Sequence, residues 1–245
     1  MGILLTVAYD GTDYCGWQLQ DNGISVHHVL NTAIAKVFDC KFSLLGASRT
    51  DAGVHALGQQ AHLMFETSCV IPPHKLPLVI NGRLPQDVRI ADARAVADSF
   101  HPINDAKSKT YSYKIYNARH RNPLLRRYAA FVPVVLDTDK MAHAARYFVG
   151  EHDFAAFCAS GSQVRSTVRR IYDINVAKQG EIIEITINGN GFLHNMVRII
   201  AGTLVDVGRG KLAPNDIGDV IASGDRSRAG KTMAPQGLTL MKIFY

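Results

Sequence analysis

The chain is 245 residues long and 47% hydrophobic with a mean hydropathy of zero, enough for one large core or two small ones and too apolar for a disordered chain. No apolar run approaches the roughly 18 residues of a membrane-spanning helix, and the first ten residues lack a basic start, so a soluble cytoplasmic protein is expected. The formal charge of +6 is uneven: residues 1 to 100 carry 7 Lys and Arg against 9 Asp and Glu, residues 101 to 245 carry 20 against 12, and the excess points to RNA or DNA.

Ile3 to Tyr9 reads as a strand, ended by the turn Asp10-Gly11-Thr12-Asp13. The loop that follows, through Gly16-Trp17-Gln18, holds the only Trp of the chain, placed either to stack on a base or to plug the end of a core. Ser25 is positioned to cap a helix whose apolar residues Val26, Val29, Leu30, Ala33, Ile34, Val37 and Phe38 recur at the helical period. Phe42 to Ala47 and Leu57 to Phe65 read as strands, Pro72-Pro73 as the opening of a helix that runs through Ile80, and Val88 to Val96 as another strand. The order β-α-β-β-α-β is that of a split βαβ unit.

Phe100-His101-Pro102 is the expected boundary, dividing the chain into residues 1–101 and 102–245. The second half repeats the plan. Thr110 to Tyr116 is a strand, Asp137 caps a helix carrying Met141, Ala144, Ala145 and Phe148, and Ile171 to Ala177 pairs with Ile182 to Ile187 around Lys178-Gln179-Gly180. A long helix from about His194 to Val207, a shorter one from Asn215 to Ile221 and a strand from Leu238 to Phe244 complete it. The fold class is α+β: two split βαβ halves of ferredoxin-like or RRM-like plan, forming a mainly antiparallel mixed sheet with a cleft between them.

Between the second and third strands lies Ser48-Arg49-Thr50-Asp51-Ala52-Gly53-Val54-His55, with a single carboxylate. Asp51 is either a turn residue, with Gly53 supplying φ > 0, or a nucleophile or base kept ionised by the neighbouring Arg49. Arg198 stands in the apolar stretch Met196 to Ala201, one turn after His194. It is either a surface cation or, as a charge among apolar neighbours, the partner of a carboxylate, for which Asp51 is the candidate. Basic clusters at Lys107/Lys109, Arg119 to Arg127, Arg165/Arg169/Arg170 and Arg226/Arg228/Lys231, with Tyr111, Tyr113, Tyr116 and Tyr128 interleaved, favour nucleic acid. Gly224, Gly230, Lys231 and Thr232 have the wrong spacing for a phosphate-binding P-loop. Cys15, Cys40, Cys69 and Cys158 are too scattered for a disulfide framework or zinc ribbon and read as reduced thiols; the histidine spacing indicates no metal site.

Taken together, Tyr9-Asp10-Gly11-Thr12 with Gly16-Trp17-Gln18, Arg49-Thr50-Asp51-Ala52-Gly53-Val54-His55-Ala56 with Gly58-Gln59, Lys109-x-Tyr111-x-Tyr113, Phe192-Leu193-His194-x-Met196-Val197-Arg198 and Gly237-Leu238-x-Leu240 resemble the bacterial-type tRNA pseudouridine synthase A family over essentially the whole chain. Two positions depart from its pattern: Ser48 where glycine is usual before the motif Arg, and Lys109 where Arg is common, which keeps a charge and loses the bidentate fork. The resemblance implies a pseudouridine synthase fold and an isomerase that turns uridines 38, 39 and 40 of the tRNA anticodon arm into pseudouridine. It implies Asp51 as nucleophile, Arg198 as its ion-pair partner, Tyr111 stacked on the flipped uracil and Arg49 in the vacated space. Leu193 would form the apolar wall, with Lys109, Trp17 and Arg165 on the RNA. It further implies a homodimer that needs no cofactor. The alternative is a non-catalytic RNA-binding protein of two RRM-like halves, for which Tyr111-Ser112-Tyr113 is the nearest approach to an exposed aromatic strand.

Overall fold

Strand β1 (Gly2–Tyr9) is buried along nearly its whole length, with Ile3, Leu5 and Val7 fully enclosed, as expected of a strand with neighbours on both edges. In the computed structural model, which describes residues 2–21, 23–66, 71–159 and 164–245, the chain divides into two units: Met1–Lys107 with Leu240–Tyr245, and Ser108–Thr239. Cys69 lies outside the described residues; Cys15, Cys40 and Cys158 are free thiols.

The first unit contains β1, helix α1 (Val26–Ala35), β2 (Phe42–Gly46), β3 (His55–Phe65), helix α2 (Leu76–Asn81) and β4 (Val88–Val96). β1 lies between β4 and β3, and β2 pairs with β3; all these pairings are antiparallel. This is the split βαβ order. The Ser25 side chain accepts from the His28 N–H, as an N-cap should. Val26, Leu30, Ala33 and Ile34 form the buried stripe of α1, the larger of these side chains each contributing about 1.5–3 kcal/mol of apolar burial. The helix stops at Ala35, short of the expected Phe38, although the Phe38 N–H still donates to the Ile34 carbonyl at 3.0 Å; the Phe38 ring packs on Phe65 at 4.8 Å. Ahead of α2, Pro73–Lys75 forms a single 3-10 turn. β3 begins at His55, two residues before the expected Leu57, so His55 and Ala56 belong to the sheet.

In the second unit the strands are β5 (Ser108–Asn117), β6 (Ala130–Val132), β7 (Gly150–Asp153), β8 (Val168–Gln179) and β9 (Ile182–Gly189). β9 lies between β5 and β8, β7 covers the outer edge of β8, and β6 runs parallel to β5. The sequence reading missed β6 and β7, which are three and four residues long, too short to display an alternating pattern. Helix α3 (Thr138–Ala145) is capped by Asp137, whose carboxylate accepts from the Lys140 N–H at 3.0 Å; Phe148 follows in a 3-10 turn instead of the helix. Helix α4 (Met196–Gly208) is buried on every side except at Arg198 and Asp206, which makes it the central helix of this unit. It starts two residues later than expected, leaving His194 exposed in the preceding turn, so His194 and Arg198 do not share a helical face. Helix α5 (Asp216–Ser223) follows. Strand β10 (Leu238–Phe244) returns to the first unit beside β3.

Candidate active site

In the first unit, the Asp51 loop is fixed through its main chain. At its start the Ala47 N–H donates to the Gln60 carbonyl at 2.8 Å, and the buried Gln59 amide donates to the Ser48 carbonyl at 2.6 Å. At its centre the Trp17 N–H donates to the Thr50 carbonyl at 3.1 Å, and the Thr50 hydroxyl meets the Tyr9 hydroxyl at 2.8 Å. At its end the Gly53 N–H donates to the Tyr14 carbonyl at 3.2 Å, and the Val54 N–H closes a turn onto the Asp51 carbonyl at 3.2 Å. Gly53 has φ +76°, so the turn foreseen as the bland explanation of Asp51 is present in the backbone. None of these bonds uses the Asp51 side chain. The residue is half-buried.

The segment Tyr9 to Trp17 thus acts as a bracket for this loop. Gly16, at φ +104°, lies so near the main chain at Thr50 and Asp51 that no side chain fits there. Its neighbour Trp17 is 3% exposed, with its ring between Tyr9 and His27 at 6.2 and 5.9 Å and against the backbone of Gly46. The RNA-binding role expected for Trp17 is therefore corrected: its faces are covered by protein, and it supports the loop from beneath. The other end of the bracket is tied to β3, where the Gly11 N–H donates to His55 Nδ1 at 3.0 Å, and Tyr14 donates its hydroxyl to Asp87 at 2.7 Å. Burial, with that carboxylate beside it, pushes the Tyr14 phenol well above its ordinary value, so it stays a donor. Arg49 is exposed.

In the second unit, Tyr111 lies on β5 opposite Ile187, buried and edge-on to Phe192 at 5.2 Å. Leu193 is buried just before α4. Lys109 is half-buried near the start of β5, and burial lowers its ammonium to about 8. Arg165 is exposed. Arg198, half-buried, donates from Nε to the Met233 carbonyl at 2.7 Å and from Nη1 to Asn195 Oδ1 at 2.5 Å. Sequence reasoning gave Asn195 and Met233 no part. The available signal was an Asn at the start of an apolar helix, since Asn is among the few residues that tolerate a left-handed backbone.

The basic clusters are not uniform. Arg226 donates to the Gly230 carbonyl at 2.9 Å and to the Thr232 hydroxyl at 3.2 Å, and Arg169 to the carbonyls of Ser166 and Val168, so both brace local loops. Arg119, Arg121, Arg126, Arg165, Arg228 and Lys231 are exposed. Gly224 terminates α5 at φ +62° and Gly230 packs on the backbone of Gly202, so neither forms part of a phosphate cradle. Among the described residues no group of three or more His, Cys, Asp or Glu is placed to hold a metal ion.

Residues 5–103 and 144–245 match the sequence pattern of the family described as tRNA pseudouridine synthase. The chain belongs to this family. The match covers both the Asp51 loop and the Arg198 helix, and it makes the chain a pseudouridine synthase, an isomerase. Proteins named tRNA pseudouridine synthase A from Caldicellulosiruptor bescii and Thermoanaerobacter sp. strain X514 are 48% and 47% identical to it over 243 residues, and one from Geotalea daltonii is 48% identical; each alignment covers 99% of both chains. Among solved structures, a chain of a Cbf5-Nop10-Gar1 complex aligns over 97% of this chain and 48% of its own length, at 13% identity and a TM-score of 0.41.

Proposed function

We propose that this pseudouridine synthase acts on tRNA, at uridines 38, 39 and 40 of the anticodon arm, with Asp51 as the nucleophile. The observation that carries the reading is the Asp51 loop: within a family-matched segment, one carboxylate is held on a turn whose main chain is fixed by hydrogen bonds to neighbouring segments. The isomerisation breaks the bond between uracil N1 and ribose C1′, turns the base, joins C5 to C1′, and moves one proton from C5 so that N1 ends protonated. No water and no electrons are consumed, so no cofactor is required. A carboxylate that adds to C1′, or to the base itself, holds the two pieces while the base turns. The reading requires Arg198, Tyr111 and Leu193 to converge with Asp51 on the flipped nucleotide. Arg198 keeps the carboxylate ionised, Tyr111 stacks on the uracil and assists proton removal from C5, and Leu193 walls the pocket. Arg49 takes the space left in the stack, and Lys109 and Arg165 bind phosphate.

The same reading makes the working form a cytoplasmic homodimer that places one tRNA across two basic surfaces, in keeping with the charge excess of residues 101 to 245. A purely RNA-binding role is disfavoured by one observation. An RRM-type platform needs a row of strand aromatics open to bases, whereas Tyr113, the second aromatic of Tyr111-Ser112-Tyr113, is 0% exposed. The test is incubation of the purified protein with unmodified tRNA transcripts, followed by carbodiimide-dependent primer-extension mapping. Stops at positions 38 to 40 are expected. Transcripts that are bound yet show no stop in the anticodon arm would defeat the reading.

A further inference from the structure

Helix α4 starts from an unusual residue. Asn195 holds φ +61° and ψ 5°, and among the described residues it is the one non-glycine with positive φ. An L-residue gives up about 1–2 kcal/mol in that conformation, which Asn tolerates better than most. A helix N-cap is ordinarily extended and turns its side-chain oxygen onto the free N–H groups of the first turn. Asn195 makes no such bond. Its Oδ1 accepts instead from Arg198 Nη1, three residues on, at 2.5 Å.

The opposite side of the guanidinium is held by a second neutral oxygen, the Met233 carbonyl, 2.7 Å from Nε, while the Met233 N–H donates back to the Arg198 carbonyl at 3.2 Å. Met233 belongs to a strap, residues 225–237, that is itself anchored at several points. The Gly230 N–H donates to the Thr203 hydroxyl at 2.8 Å, and a methyl group on either Gly202 or Gly230 would strike main-chain atoms of the other segment. Arg226 grips the strap from within, and the buried Tyr113 hydroxyl donates to the Ala234 carbonyl at 2.7 Å. Two rigid acceptors on different segments define the plane of the guanidinium. Both are uncharged, so neither of these two acceptors neutralises the guanidinium.

We infer that Asn195 is a positioning residue: with the Met233 carbonyl it sets the orientation of the Arg198 guanidinium before substrate arrives. The catalytic consequence rests on the proposed function, in which Arg198 serves Asp51. Glycine separates the two duties of Asn195, since it adopts positive φ without strain and lacks the acceptor. Asn195→Gly is expected to melt within a few degrees of the wild type and to bind tRNA with KM within about twofold. Its kcat should fall about 10–100-fold, the scale of a small misplacement of an active-site group. Asn195→Asp, which restores an acceptor and tolerates the same backbone, is expected to recover kcat to within about threefold. A second readout needs no activity. The Arg198 Nε–H resonance, assigned by its loss in Arg198→Lys, should report slow rotation about the Nε–Cζ bond in the wild type and markedly faster rotation in Asn195→Gly. Wild-type kcat in Asn195→Gly, or unchanged rotation, would overturn the inference. Absence of any pseudouridine formation by the wild type would instead remove the functional reading, leaving the resonance to decide the positioning.

Discussion

The Asp51 loop and the first turn of α4 each carry a charged group, and they are fixed in opposite ways. The loop is pinned through main-chain atoms, by Trp17, Tyr14 and Gln59. The helix turn has its backbone set by helical bonding, and its extra contacts go to the side chain, by Asn195 and Met233 to the Arg198 guanidinium. A short acid needs only its Cα held. A long flexible cation carries several rotatable bonds, and it must be gripped near its tip if its direction is to matter.

The contrast predicts that damage at the helix acts on turnover and damage around the loop acts on folding. The largest effect is expected from Arg198→Ala, which removes the charge altogether. Its kcat should drop about 10²–10³-fold in a single-turnover assay, with a smaller loss of Tm. Next is Gly46→Ala, whose new methyl would collide with the Trp17 indole; overpacking of about 1–3 kcal/mol should appear in chemical denaturation. Activity per folded molecule should survive if the loop recovers its position. Trp17→Phe should cost about 1–2 kcal/mol for lost burial, with the Kd for tRNA unchanged. A tenfold weaker Kd in that variant would reinstate a base-stacking role.

The smallest effect concerns Lys109, whose ammonium burial lowers to about 8. Below pH 8 the group is charged in both folded and unfolded chains, and folding bears the full penalty of burying the charge. As pH rises from about 8 toward the ordinary lysine value, the folded state binds fewer protons than the unfolded one, so this penalty is relieved and the contribution to stability increases. RNA affinity should run the other way, weakening a few-fold between pH 7 and 9 at constant salt as one phosphate contact is lost. In Lys109→Arg that step should vanish from the binding profile, because guanidinium does not titrate there.

Much of the secondary structure was legible from the chain. The caps at Ser25 and Asp137 were read correctly, as was the β-α-β-β-α-β order, because each rests on local hydrogen bonding or on a period of two or 3.6 residues. Short polar strands such as Gly150–Asp153 carry no period and were invisible. For the site, the family motifs singled out Asp51, Arg198, Tyr111 and Leu193, yet residue chemistry alone left Asp51 open between turn and nucleophile. The backbone turn proved real, and it is the device that presents the acid. Residue chemistry left Trp17 open between core and RNA, and only the family resemblance put it on the RNA, because an aromatic on a glycine-bordered loop looks the same in sequence whether it faces RNA or the underside of a loop. The grip on Arg198 was hidden because a main-chain carbonyl has no sequence signature, and Met233 lies 35 residues from the side chain it holds.

The central claim is that Asp51 supplies the nucleophile from a loop that main-chain hydrogen bonds hold in place. Its most direct test is Asp51→Asn, measured on one preparation for thermal unfolding, tRNA affinity and single-turnover pseudouridine formation. The account predicts Tm within a few degrees and Kd within about twofold of the wild type, with turnover reduced at least about 10⁴-fold. Pseudouridine formed by the variant at a rate near that of the wild type would contradict it.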